Sequence, residues 1–432
     1  MPEFLVISSR LRFALGRMMW AAGAILLVAQ RSSGADESWP QFLGPDRNGV
    51  YAGPPLAARW PEEGPRVVWR REVGAGFSGP VVSGERLILF HRRGGDEVIE
   101  CIDRTSGRTL WKTNYATRYR DDFGFDDGPR ATPTLASGWV YTLGAEGKLC
   151  GMDLGSGAVR WSVDTQKEFG ARKGFFGLAC SPWVEGDLVI VQVGGENGAG
   201  IVAFERTTGR VRWKATEDEA GYSSPVGATV AGKRLIWCFT REGLIAMAPM
   251  DGTVWHRFPW RARMHASVNA AVPLVVGDEV FVSASYGTGA ALLRVNAGGL
   301  ETVWSGDTAL SVHYATPVYR AGYLYGVHGR ADPGFSPSPS LRCVEWKTGR
   351  VRWTKEGLGA GTVMLAGDRL LFLSDRGELI VAAAEPDGYR EMGRSHILGG
   401  EVRAHPALAA GRLYARNRTH LISVDLQSDL KP

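Results

Sequence analysis

The chain has 432 residues, 57 of them glycine, with 22% charged and 44% hydrophobic side chains. Glycine at about twice its usual share of roughly 7%, beside an ordinary apolar fraction, excludes a disordered chain and points to many tight turns around a packed core. The formal charge of +5 comes with arginines scattered along the sequence instead of massed on one element, so no nucleic-acid partner is expected.

At the N-terminus, Arg10, Arg12 and Arg17 precede the apolar run Met18 to Ala29, and Ser33, Gly34 and Ala35 follow it. That order is a secretory signal peptide over residues 1–35. The run is shorter than the roughly 20 residues that cross a bilayer, and no later stretch is apolar enough to try, so no membrane span is expected once the signal is cleaved. A periplasmic or secreted location follows. The signal carries four arginines and one glutamate, which leaves the remainder near +2.

Residues 36–64 form an extended lead-in rich in proline and glycine, including Trp39-Pro40-Gln41-Phe42-Leu43-Gly44-Pro45-Asp46-Arg47-Asn48-Gly49. Trp39 and Phe42 are expected to anchor it on the outer flank of the domain that follows.

From residue 65 to 426 the sequence repeats. Gly107-x-x-x-Trp111, Gly157-x-x-x-Trp161, Gly209-x-x-x-Trp213 and Gly349-x-x-x-Trp353 share one spacing; Gly252 to Trp255 is one residue short, Gly299 to Trp304 is one long, and Gly388 leads to Met392. In four copies a carboxylate stands four residues before the glycine, namely Asp103, Asp153, Glu205 and Glu345. This describes a turn whose carboxylate accepts N–H bonds and whose glycine takes a positive φ, followed by a strand with its indole at fixed phase. Adding Trp69 at the front gives eight outer-strand markers, of which Trp69, Trp111, Trp161, Trp213, Trp255, Trp304 and Trp353 are expected to dock neighbouring repeats together.

A second marker, a small residue and then proline before an apolar run, recurs at Pro80, Pro133, Pro182, Pro225, Pro273, Pro317 and Pro406, with Thr362-Val363 as a proline-less copy. Eight starts and eight outer markers, offset by one, predict an all-β, eight-bladed propeller of four-stranded blades. The last repeat lacks an outer strand, which Arg66 to Val73 is expected to supply, closing the ring and removing its open edges. Residues 427–432 are read as a tail, and a monomer is expected.

The closest copy of the motif, Phe204-Glu205-Arg206-Thr207-Thr208-Gly209-Arg210-Val211-Arg212-Trp213, resembles the pyrroloquinoline-quinone (PQQ) type propeller repeat. The resemblance spans roughly residues 65–426 and is specific for fold. It implies one of two functions: that of quinoprotein dehydrogenases, with PQQ and calcium on the propeller axis, or that of BamB-like assembly proteins, which use the ring as a cofactor-free scaffold. The chain has no adjacent cysteines, no CxxCH motif and no lipid-bearing cysteine after the signal. The reading is a scaffold without cofactor that binds envelope proteins or a small ligand, with a PQQ-dependent oxidoreductase as the alternative.

If the proline starts are the innermost strands, residues just before them ring the channel mouth. Phe77, Arg130, Tyr222, Tyr314 and Arg403 occupy such positions, with His313 and His405 beside them, and the set suits a planar or anionic ligand. Four carboxylates, Asp121, Asp122, Asp126 and Asp127, crowd the loop before Arg130 and are candidate calcium ligands, although their spacing is not that of an EF-hand. No nucleophile elbow, histidine metal pair or phosphate loop is present, so no catalytic residue is assigned. The stretch His328 to Ser340 reads as a surface loop.

Overall fold

The computed structural model describes Met1 and residues 38–57, 59–332 and 338–427. Apart from Met1, the expected signal peptide lies outside the described residues, as does the tail beyond Gln427.

Eight antiparallel sheets follow one another along the chain, and in each the sequence runs from the innermost strand outward. The innermost strands are Val81–Ser83, Thr134–Ala136, Trp183–Glu185, Val226–Val230, Leu274–Val276, Val318–Arg320, Gly361–Ala366 and Ala407–Ala409. Seven of them begin at the residue after a start proline, whose missing N–H suits the first position of a strand. The middle strands are continuous apolar runs such as Leu87-Ile88-Leu89-Phe90, all fully buried because each blade is covered on both faces by its neighbours. Outer strands have one wet side and alternate instead, as in Thr109–Ala116. The eighth sheet takes its outer strand from the N-terminus: Val67–Glu72 pairs antiparallel with His420–Asp425, Trp69 opposite Ser423. The protein is therefore an all-β, eight-bladed propeller closed by its own first outer strand.

The tryptophan motif joins blades in a fixed way. Trp69, Trp111, Trp161, Trp213, Trp304 and Trp353 donate their indole N–H to the carbonyls of Arg104, Leu154, Arg206, Pro249, Trp346 and Glu385, at 2.7 to 3.1 Å. Each acceptor stands three residues before the glycine of the next repeat. In the first five pairs the ring also lies on that glycine, so close that a Cβ on Gly107, Gly157, Gly209, Gly252 or Gly349 would come within 3 Å of it. In the turns, Asp103 and Asp153 accept main-chain N–H bonds from Ser106 and Ser156. Glu205 and Glu345, longer by one methylene, hold the hydroxyls of Thr208 and Thr348 instead.

Trp255 departs from the docking expectation. It is 48% exposed, with the Lys233 ammonium 3.7 Å from its ring centre. The next blade joins its third strand, Gly289–Asn296, to Gly299–Gly306 through Ala297 and Gly298 alone. That hairpin omits the carboxylate turn that provides both the carbonyl and the glycine platform elsewhere.

Trp39 and Phe42 of the lead-in also lie elsewhere than expected. Trp39 pairs with Val82 on the innermost strand of the first blade, the Pro40 carbonyl accepts from Leu135 N in the second, and Val50–Tyr51 adds a parallel fifth strand to Gly361–Ala366 of the seventh. Leu43 is buried in a cluster that includes Val226 and Val272 of the fourth and fifth blades. Only a segment on the axis can touch so many innermost strands, so Trp39 and Phe42 plug the channel and do not pack on the flank.

Candidate functional site

Above this plug the channel widens into a cup of about 550 Å³. All seven expected mouth residues, Phe77, Arg130, Tyr222, His313, Tyr314, Arg403 and His405, line it. The reason is local: the chain enters each innermost strand from the same end of the ring, so a fixed offset before each start places side chains on one rim. Phe42 of the plug contributes to the floor, set edge-on to His405 at 5.7 Å between ring centres. Trp39 stacks on the same imidazole at 6.3 Å.

The walls are mainly aromatic. Phe123 and Phe125 from one inter-blade loop meet Phe176 from the next, at 5.3 and 6.2 Å between ring centres, and Phe176 leans on Tyr222. The Tyr222 hydroxyl accepts the N–H groups of Phe175 and Phe176, which fixes that loop over the cup. Three guanidinium groups line the walls, and each is already paired: Arg130 with Asp121, Arg403 with Glu401 at 2.6 Å, and Arg330 with Asp332 at 2.5 Å. Their flat faces cover rings, Arg130 over Phe77 and Phe176, Arg403 over Phe77 and Phe125, and Arg330 over Tyr286. Charge is thus balanced locally, and what the cup presents to a ligand is chiefly flat π and guanidinium surface.

Both histidines are held neutral. Burial lowers the His313 imidazole to about 4, against a partial upward pull from Asp332, and burial likewise lowers His405 to about 4. The Nδ1 atom of His313 accepts from Ala331 N at 3.3 Å, so its proton sits on Nε2, facing the Tyr286 oxygen at 2.8 Å. Burial also raises the Tyr222 phenol and brings Tyr314 to about 12. The serines at the cup are occupied: Ser181 Oγ accepts from Thr132 N and Ser224 Oγ from Ser181 N, both 2.9 Å, tying successive blades.

The four carboxylates of the acidic loop do not converge on one point. Asp121 pairs with Arg130, Asp122 with Lys173, Asp126 with Arg418 and Asp127 with Arg120, so the four carboxylates diverge toward four different cations. Among the described residues no group of three ligating side chains converges. The aromatic residues of this loop, not its carboxylates, are what reach the cup. Sequence reading also missed Tyr286, Arg330, Asp332 and the plug residue Phe42; the first three lie on loops that follow no repeat, and Arg330 and Asp332 belong to the stretch read as a plain surface loop. His265 is exposed at the rim, its ring 5.5 Å from that of Phe175.

Calcium with PQQ needs several oxygen ligands at the cup, and among the described residues Asp332, already bound by Arg330, is the one carboxylate lining it. The five cysteines are all free and buried, spread among different blades. The residues present do not fit the calcium half of that pair.

Solved structures with the same fold include BamB from Moraxella catarrhalis, 15% identical with a TM-score of 0.59, covering 85% of this chain and 99% of that one. Quinohemoprotein alcohol dehydrogenase from Comamonas testosteroni is 14% identical with a TM-score of 0.66, covering 93% and 84%. The quinohemoprotein alcohol dehydrogenase ADHIIG from Pseudomonas putida gives 13%, 0.65, 92% and 82%. At such identities the likeness is one of fold. No curated protein matches the chain. The family described as outer membrane protein assembly factor BamB matches residues 95–355, more than half of the sequence. By that match, and by a ring whose repeats and closure agree with it, the chain belongs to the BamB-type family of PQQ-repeat propellers.

Proposed function

We propose that the protein is a non-catalytic scaffold of the cell envelope, periplasmic or secreted, that binds a flat, largely apolar group in the axial cup. The group is either a small ligand or an aromatic side chain presented by a partner protein. The observation that carries this reading is the cup itself: a blind cavity walled by five phenylalanines and three stacked guanidinium groups. Binding is favoured over catalysis because both cup histidines are neutral well below pH 7 and the cup serines are committed to inter-blade bonds.

Thermal melting with flat aromatic acids, their uncharged amides, and PQQ with calcium tests the reading. Saturable stabilisation by flat ligands, lost in Phe125→Ala and Arg403→Ala, is expected; a ligand present at 100 times its Kd stabilises by about 2.7 kcal/mol. Flat melting curves with every compound at about 100 μM, together with no partner protein retained by the parent but not by these variants, would sink it. Stabilisation by PQQ that depends on calcium would move the chain to the oxidoreductase alternative.

A further inference from the structure

Below the cup, Arg47 occupies a cage made by the propeller itself. Its guanidinium donates to the carbonyls of Pro182 and Pro225, each at 2.7 Å, to that of Ser181 at 3.2 Å, and to Thr134 Oγ1 at 3.4 Å. The side chain is 1% exposed and lies over the Trp183 ring at 5.0 Å. All its acceptors are neutral oxygens of the starts of the second, third and fourth blades. A planar fork of five donors can span carbonyls arriving from separate blades, whereas an ammonium with three donors on a compact head cannot.

The rest of the segment is recognised by main chain and shape. Gly49 O accepts from Leu365 N at 2.9 Å, Gly411 N donates to the Tyr51 hydroxyl at 2.8 Å, and Gly49 adopts φ +73° where a Cβ would press on Val318 at 2.9 Å. Backbone pairing at Val50–Tyr51, shape at Gly49 and one charged anchor are the elements by which a domain recognises an extended peptide.

We propose that the lower half of the axial channel is an arginine-selective peptide-binding site, filled by the chain's own residues 39–51, and that this segment acts as an intramolecular ligand whose seating makes the cup blind. The floor residue Phe42 belongs to the cup described above, but the test reads the seating directly and is independent of any cup ligand. Cys180 supplies the readout. It is 1% exposed, lies next to Ser181 of the cage and within electrostatic reach of Arg47, and is flanked by cup-lining residues. Cys101 and Cys343 sit in third strands away from the axis.

The experiment is native thiol labelling of the full chain with a water-soluble maleimide, mapped by peptide mass. In Arg47→Ala and Arg47→Lys, Cys180 is expected to label at least tenfold faster than in the parent, with Cys101 and Cys343 unchanged. A free peptide of residues 39–51 should restore protection, and the same peptide with alanine at the arginine position should not. Parent-like protection of Cys180 in both variants overturns the proposal, as does equal rescue by the two peptides. If all the thiols label alike, the peptides decide: protection restored by the parent peptide alone upholds the site, and failure of both overturns it.

Discussion

The indole N–H of Trp161 donates to the carbonyl of Arg206 at 2.9 Å while its ring lies on Gly209, so one side chain of the second blade is fastened at two points to the third. Trp255, at the corresponding place in the fourth blade, has neither point. Trp161→Ala is expected to cost about 3–5 kcal/mol, as removal of a large aromatic from a packed site does. Trp255→Ala should cost under about 1 kcal/mol. Urea unfolding of both variants checks the contrast, and equal losses would contradict the platform as the source of docking.

The platform predicts a matching cost on the other side of the contact. At Gly209, φ is +72° and an added Cβ would lie 2.6 Å from the Trp161 ring; at Gly186, φ is +56° with nothing within 4 Å. Gly186→Ala therefore meets only the left-handed penalty, about 1–2 kcal/mol, while Gly209→Ala must also displace the indole. A melting temperature for Gly209→Ala no lower than that of Gly186→Ala would refute this account.

Acid should weaken the ring in two stages. Burial lowers His313, His328 and His405 each to about 4. An unfolded imidazole binds its proton near 6.5, so the unfolded chain takes up more protons between about pH 6.5 and 4, and stability falls as pH drops through that window and not above it. Each group contributes on the order of 1–3 kcal/mol. Glu100, held down to about 2 by His91, Thr109, Arg71 and Lys112 against the opposing effect of burial, gives a further loss between about pH 4.5 and 2. Denaturant titrations at pH 7.5, 5.5 and 4.5 test the first stage, which His405→Gln and His313→Gln should each reduce.

Because the carboxylates of the loop before Arg130 are neutralised by Arg130, Lys173, Arg418 and Arg120, chelation should leave the melting temperature unchanged. Asp121→Asn, which leaves the Arg130 guanidinium without its buried carboxylate partner, should lower stability by about 3–5 kcal/mol, as breaking a buried pair from one side does. A drop in melting temperature with EDTA would reverse the assignment of this loop.

The fold was legible because two unrelated signals recur in step. Pro133 or Pro225 marks where an innermost strand begins, Trp161 or Trp213 marks where an outer one runs, and the offset between the series already placed Val67–Glu72 beside the last strand of the chain. The rim positions Phe77, Arg130, Tyr222, Tyr314 and Arg403 were legible for the same reason, since repetition turns a sequence offset into a place on the ring. Residues outside the repeat carried no such address. Phe123 and Phe125 are interleaved with carboxylates, and the reading weighed that charge as a weak calcium candidate without considering the rings, which line the cup. Arg47 sits in a coil whose partners are carbonyls of residues 134 to 178 positions away, and a backbone oxygen leaves no trace in a sequence. Trp255 failed as a docking residue because docking depends on the turn of the following blade, which its own motif does not encode.

The closing strand also bears on how the molecule is made. Among the described residues, the one sheet neighbour of Val67–Glu72 is His420–Asp425, which is synthesised some 350 residues later. Until then that strand has no mate. The entropy of joining segments some 350 residues apart falls on the final step. A chain halted before residue 420 holds an unpaired strand at its front and an incomplete eighth blade at its back, so the ring cannot seal until residues 420–425 have been made.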